Sequence, residues 1–171
     1  MTERMSIRLA TPRDFQALGD IERRAAERFA PGDLPPALRG ASLPLATLQQ
    51  AEQAGLLWVA QAETGEPVGF LMAAPAGDAL HIGEVSVLPE HGGRGLGRAL
   101  IHTAIRHARE RRYRALTLTT FDPVPWNRPF YERLGFVVLP ASECPAHLVQ
   151  HLADEQASGL SDRVAMALRL D

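Results

Sequence analysis

The segment Gly92-Gly93-Arg94-Gly95-Leu96-Gly97-Arg98 packs four glycines and two arginines into seven residues. Before it, Leu80-His81-Ile82-Gly83-Glu84-Val85-Ser86-Val87-Leu88 predicts a strand. After it, a helical pattern runs from Gly95 to about Arg112. Leu96, Leu100, Ala104 and Ala108 form its apolar stripe, with Ile101 and Ile105 beside it, while Arg98, His102, Arg106 and Arg109 fall mostly on the wet side. A glycine loop between strand and helix lets successive backbone N–H groups turn toward one point, and the helix N-terminus adds the positive end of its dipole. Such a unit suits a phosphate or pyrophosphate, with Arg94 and Arg98 as nearby positive charge.

The remaining pattern builds a sheet around this unit. Ser6 to Ala10 alternates like a first strand, and Thr11-Pro12 opens a helix reaching toward Phe29, with Phe15, Leu18, Ile21 and Ala25 at helical spacing. A proline-rich loop from Pro31 to Pro36 precedes a second short helix over Leu45 to Ala54. Leu56–Ala60 and Val68–Ala73 make a hairpin about Glu63-Thr64-Gly65-Glu66, and Ala76-Gly77-Asp78 turns the chain into the fourth strand. Ala115–Phe121 reads as a fifth strand. Asn127 can cap a short helix over Arg128 to Leu134, which Gly135 ends. Phe136–Leu139, a helix over Ala146 to Gln156 and a strand from Arg163 to Leu170 complete the chain. Early strands in a meander and later strands alternating with helices predict an α/β (α+β) fold, one mixed sheet with helices packed on it. The length fits a single domain over residues 1–171.

Three phosphate-binding patterns test the glycine loop. The dinucleotide pattern G-x-G-x-x-G fails, because Arg98 or Leu100 stands where the third glycine belongs. The P-loop spacing is met by Gly92 and Gly97, but Arg98-Ala99 replaces the lysine and the magnesium-binding hydroxyl. The third pattern is R/Q-x-x-G-x-G/A, whose core is matched by Gly95-Leu96-Gly97, with Gly92 where Arg or Gln is usual.

That third pattern is the acetyl-CoA loop of the GNAT N-acetyltransferases. A second segment, Asn127-Arg128-Pro129-Phe130-Tyr131-Glu132-Arg133-Leu134-Gly135-Phe136, resembles the Tyr-Glu-x-x-Gly-Phe element that follows the fifth strand of that family. The order of elements matches in outline along nearly the whole chain, and specifically from Val85 to Phe136. The resemblance implies a central mixed sheet of six to seven strands flanked by helices, with the fourth and fifth strands splayed apart. It implies that the pantetheine arm of acetyl-CoA pairs with Val85, Ser86 and Val87 like an added strand. Gly92, Gly93, Arg94, Gly95, Leu96, Gly97 and Arg98 would face the pyrophosphate. Asn127, Phe130 and Tyr131 would lie toward the thiol and pantetheine.

The implied reaction is direct attack of an unprotonated primary amine on the thioester carbonyl in a ternary complex. Holding both reactants together makes an encounter effectively intramolecular. A backbone N–H on the fourth strand, here assigned to Val87, would stabilise the oxyanion. By position, Tyr131 matches the family's acid for the departing thiolate. His81 and Glu84 are the two candidates for the base. A regular strand puts them on opposite faces, and an imidazole near about 6.5 suits neutral pH better than an unshifted carboxylate. A non-catalytic acyl-CoA sensor and a nucleotide-binding enzyme are the competing readings.

Composition removes several partners. The net charge is -2 with all 18 basic residues arginine, which supplies no footprint for nucleic acid or an anionic membrane. No apolar run is long enough to span a bilayer, and Met1-Thr2-Glu3-Arg4 leads into the domain without a signal segment, so a cytoplasmic location is expected. The one cysteine, Cys144, excludes an intramolecular disulfide and carries no nucleophile signature. His147 and His151 are spaced i, i+4 as a metal pair can be, but Leu148 stands where H-E-x-x-H needs Glu, so no metal is assigned and a solvated face is expected. The acceptor pocket is expected from two variable segments, Phe29 to Leu45 with Asp33 and Arg39, and Pro140 to Ser161 with Glu143, Asp154 and Glu155. The sequence does not select among a small-molecule amine, an amino acid, a peptide N-terminus and a protein lysine as acceptor; the expected partner is a small-molecule or peptide amine, and a homodimer is expected by analogy alone.

Overall fold

The computed structural model describes residues 4–29, 34, 40–122, 124 and 127–170. Its strands are β1 (Ser6–Leu9), β2 (Leu57–Gln61), β3 (Pro67–Ala76), β4 (Ala79–Val87), β5 (Ala115–Phe121), β6 (Val137–Leu139) and β7 (Arg163–Arg169). The α-helices are α1 (Phe15–Ala25), α2 (Leu45–Gln53), α3 (Leu96–Glu110), α4 (Arg128–Arg133) and α5 (Ala146–Ala157). Together the strands form one mixed seven-stranded sheet in the order β1-β2-β3-β4-β5-β7-β6. Only β4 and β5 run parallel among the pairings described, and β7 is antiparallel to both β5 and β6. The predicted elements are all present, with ends within a few residues of expectation.

The chain divides into two compact units. The first comprises Met1–Ala74 and Glu84–Ala104. Here Leu18 and Ile21 of α1, Leu48 and Ala51 of α2, Leu57 and Val59 of β2, and Phe70 and Met72 of β3 form a core cluster. The register pairs Leu57 with Met72 and Val59 with Phe70, so period-two side chains from both strands point the same way. Each fully buried side chain of this size contributes about 1.5–3 kcal/mol.

Thr11 is the N-cap and Pro12 opens the first helical turn, as expected, but that turn is 3-10. A single 3-10 turn, Pro12–Asp14, comes first and α1 follows at Phe15. Asp14 closes the capping box. Its carboxylate accepts from the Thr11 N–H at 2.8 Å and from both terminal nitrogens of Arg8 at 2.8 and 2.9 Å. Beyond α1, a further 3-10 turn spans Ala26–Arg28. The proline-rich loop, with Asp33 and Arg39, lies outside the described residues apart from Leu34.

The second unit comprises Pro75–Gly83 and Ile105–Asp171. Leu116 and Leu118 of β5, Phe136, Leu148 of α5 and Met166 of β7 are buried there, and α5 packs on β5 and β7. The parallel pairing of β4 with β5 runs through Ala79↔Ala115, Leu80↔Leu116 and His81↔Thr117. In contrast, β5 pairs with β7 along its full length, to Phe121↔Arg163. His81 is thus the last β4 residue described as paired with β5.

Candidate active site

In the first unit, β4 ends at Val87 and a 3-10 turn over Pro89–His91 leads into the glycine loop. Gly93 has φ +74 and Gly95 has φ +78, left-handed conformations that side chains with a Cβ rarely adopt. Nothing lies within 4 Å of a Cβ built on either, so the glycines serve backbone direction rather than tight packing. Helix α3 begins at Leu96, and the Ala99 N–H donates to the Gly95 carbonyl at 3.0 Å. The amides of Leu96, Gly97 and Arg98 therefore open the helix with no carbonyl one turn earlier to receive them. The Arg94 guanidinium reaches His91 Nδ1 at 3.4 Å, and Arg98 Nε reaches His102 Nε2 at 3.3 Å.

Gly92, where Arg or Gln is usual, is extended, with φ -65 and ψ 155. A Cβ there would stand 3.2 Å from the Pro89 carbonyl oxygen, so this turn favours glycine on local packing grounds. Along β4, Val85 and Val87 are half-buried and Ser86 is buried. The Ser86 hydroxyl donates to Glu84 Oε1 at 2.9 Å, which holds that carboxylate along the strand.

In the second unit, Asn127 precedes α4 but does not cap it through its side chain, contrary to the sequence expectation. Its Oδ1 accepts instead from the Thr120 hydroxyl at 2.6 Å. A buried β5 hydroxyl needs an acceptor, and this demand outweighs the exposed helix end. Among the described residues Asn127 Nδ2 is left as a buried donor without a partner. Tyr131 is half-buried, its ring edge-on to Phe130 at 5.1 Å and to Phe136 at 5.8 Å. Gly135, at φ +101, ends α4 as expected.

His81 is buried, at 6% exposure. Its Nδ1 lies 2.9 Å from the Thr117 hydroxyl, which lies 2.9 Å from His147 Nε2. The His151 ring stacks on His81 with centroids 4.2 Å apart and planes 9° from parallel. Burial, and then the His151 and His147 rings, hold the His81 imidazole down to about 3. His81 is therefore a neutral ring rather than one poised at neutrality, because a charge there would be desolvated. Burial also lowers His147, and His151 adds to this while Asp78 pulls the other way.

The α5 histidines depart from a solvated face. His147 is half-buried and hydrogen-bonded to β5, and His151 keeps solvent exposure yet covers His81. Sequence reasoning missed Thr117 altogether. The available signal was the matching pair of stripes, Thr117, Thr119 and Phe121 on β5 against His147, His151 and Glu155 on α5. Lower on the same stripe, Glu155 Oε1 pairs with Arg163 at 2.9 Å, and the Arg163 guanidinium lies 4.5 Å above the Phe121 ring. Glu155 is thus committed to an internal ion pair, and Asp154 accepts from Gln150 at 2.7 Å. Among the described residues no group of three or more His, Cys, Asp or Glu side chains could hold a metal ion, and no helix is long and apolar enough to cross a membrane.

Comparison with known proteins places these elements in context. The model of the acetyltransferase (GNAT) family matches residues 20–136. N-acetylglutamate synthase from Neisseria gonorrhoeae, complexed with coenzyme A and N-acetyl-glutamate, has a TM-score of 0.74 at 20% identity over 100% of this chain. This chain spans 36% of that longer one. PaiA N-acetyltransferase from Thermoplasma acidophilum, in complex with coenzyme A, gives 0.71 at 14% identity, covering 98% of this chain and 99% of its own. Ribosomal-protein-S18-alanine N-acetyltransferase from Escherichia coli gives 0.70 at 21% identity, covering 98% and 95%. At such identities the likeness is one of fold.

Proposed function

The chain belongs to the acetyltransferase (GNAT) family, and from that premise we propose that it transfers an acetyl group from acetyl-CoA to a primary amine. The observation that carries this is the left-handed turn at Gly93 and Gly95, which opens α3 with its first amides unclaimed by the helix and with Arg94 and Arg98 alongside. Diphosphate oxygens are the natural acceptors for such amides. The structures of similar fold named above with coenzyme A bound support the same cosubstrate.

In this reading Val85, Ser86 and Val87 pair with the pantetheine arm, and the Val87 amide stabilises the oxyanion. The unsatisfied Asn127 Nδ2 takes an amide carbonyl of the arm, since a buried donor left without an acceptor costs about 1–3 kcal/mol. Tyr131 protonates the departing thiolate. His81 takes the amine proton through Nε2. Among the described residues that nitrogen has no hydrogen-bonding partner, and it is not one of the fully buried unpartnered atoms. Glu84 is the weaker base, since its carboxylate accepts from Ser86.

Two measurements test the reading. Acetyl-CoA and CoA, but not ATP or NAD, should raise the melting temperature, because a ligand stabilises the fold it binds. Thiol release should then appear against members of an amine library. Stabilisation by CoA without thiol release from any amine would favour a sensor, a reading that the unusual Gly92 also suits. Stabilisation by ATP or NAD alone would reject both.

A further inference from the structure

His81 presents a chemical difficulty as a base. It is buried at 6% exposure, and an imidazolium there would lie against the stacked ring of His151 and within 5.5 Å of the His147 ring. A proton left on this ring would be poorly solvated and repelled by any charge on its neighbours. The hydrogen bonds around it offer an exit. Thr117 is a hydroxyl with one donor and two acceptor positions, and it sits between His81 Nδ1 and His147 Nε2 at 2.9 Å from each. One proton on each centre satisfies both contacts in either of two directions, and the relay uses the one in which His81 Nδ1–H donates to Thr117 Oγ1 and Thr117 O–H donates to His147 Nε2.

We propose that Thr117 and His147 are positioning residues that relay a proton from β4 to the half-exposed edge of α5, so that His81 is not left carrying the positive charge. This rests on the acetyltransferase reading, which supplies the amine. The amine nitrogen loses a proton to His81 Nε2 as it bonds to the acetyl carbon. His81 Nδ1 gives its proton to Thr117 Oγ1, and the Thr117 hydroxyl proton moves to His147 Nε2. His81 and Thr117 end neutral, and His147 ends as the imidazolium. His147 then returns a proton to water through Nδ1. Once water re-enters the site, His81 releases its Nε2 proton to it, His147 takes up a proton at Nδ1, and the two hydrogen-bond protons shift back, which restores both starting tautomers. The charge comes to rest where solvent and the Asp78 carboxylate favour it. The titratable groups acting on the relay are His151, which stacks on His81, and Asp78, which acts on His147.

The experiment has a spectroscopic arm and a kinetic arm on the full chain. Imidazole ¹⁵N NMR should show His81 as the neutral Nδ1–H tautomer, and Thr117→Val should change that tautomer's population. A His81 ring protonated at Nε2 instead would overturn the relay, whether or not an acceptor is known. In thiol-release assays, Thr117→Val, which is nearly isosteric, should lower kcat by about 10²-fold with the KM for acetyl-CoA unchanged. Thr117→Ser should recover most of that loss, and His147→Gln should remove the acid limb of the wild-type pH profile. Wild-type kcat and pH profile in Thr117→Val would sink the relay while leaving the acetyltransferase reading intact. That reading fails separately, on absent CoA binding by the wild-type protein.

Discussion

Gly69 of β3 approaches Ser86 of β4 so closely that a Cβ built on it would stand 3.0 Å from the Ser86 carbonyl oxygen and 3.1 Å from a Val87 methyl. Both neighbours belong to the stretch assigned to the pantetheine arm. Gly69→Ala must therefore displace backbone, and overpacking of this kind costs about 1–3 kcal/mol. Thermal melting should show that loss, and calorimetric titration should show weaker acetyl-CoA binding. A destabilised variant with unchanged CoA affinity would take the arm away from Ser86 and Val87.

Gly95 separates backbone shape from charge. At φ +78, an alanine pays about 1–2 kcal/mol for the left-handed conformation, so Gly95→Ala should bind CoA several-fold more weakly. Gly95→Glu adds bulk and negative charge where diphosphate is assigned, and binding should be lost. Calorimetry on the two variants checks this. CoA affinity retained in Gly95→Glu would empty the proposed cradle.

Tyr131→Phe keeps the ring contacts with Phe130 and Phe136 and deletes only the hydroxyl. The expected outcome is a fall in kcat of about 10- to 10²-fold, with acetyl-CoA affinity preserved. Steady-state kinetics with a leaving thiol of lower pKa should shrink the defect, because a better leaving group needs less protonation. An unaltered kcat would reduce Tyr131 to packing.

Acid should destabilise the protein through His81. The folded imidazole lies at about 3, and the unfolded one near about 6.5. Between those values the unfolded chain binds a proton that the folded chain does not, so stability falls as pH drops through this window and is level above it. Asp14 acts in a lower window. Burial alone would raise its carboxyl, but hydrogen bonds from Arg8 and Thr11 bring it below its usual value. Its contribution is complete above the unfolded carboxyl value and is lost as pH falls through the folded one. Calorimetric melting from about pH 7 to pH 5 should show a decline that His81→Gln makes shallower. An equal slope in the variant would assign the sensitivity to other groups.

Much of this molecule could be read directly from residue order. The glycine loop, the helix stripe behind it and the Tyr131–Phe136 element are contiguous, and their spacing alone encodes backbone turns, periodicity and helix ends. The strands were legible too, the first by alternation and the others as short apolar or β-branched runs between turns. What no spacing conveyed was which surfaces meet. That β7 enters between β5 and β6, and that α5 lies on β5 with His147 and His151 against His81, depend on contacts between residues dozens of positions apart. A histidine at i, i+4 looks the same on a wet helix as on one laid across a row of threonines. Burial and partners set its protonation and its role, and these exist only once the chain has packed.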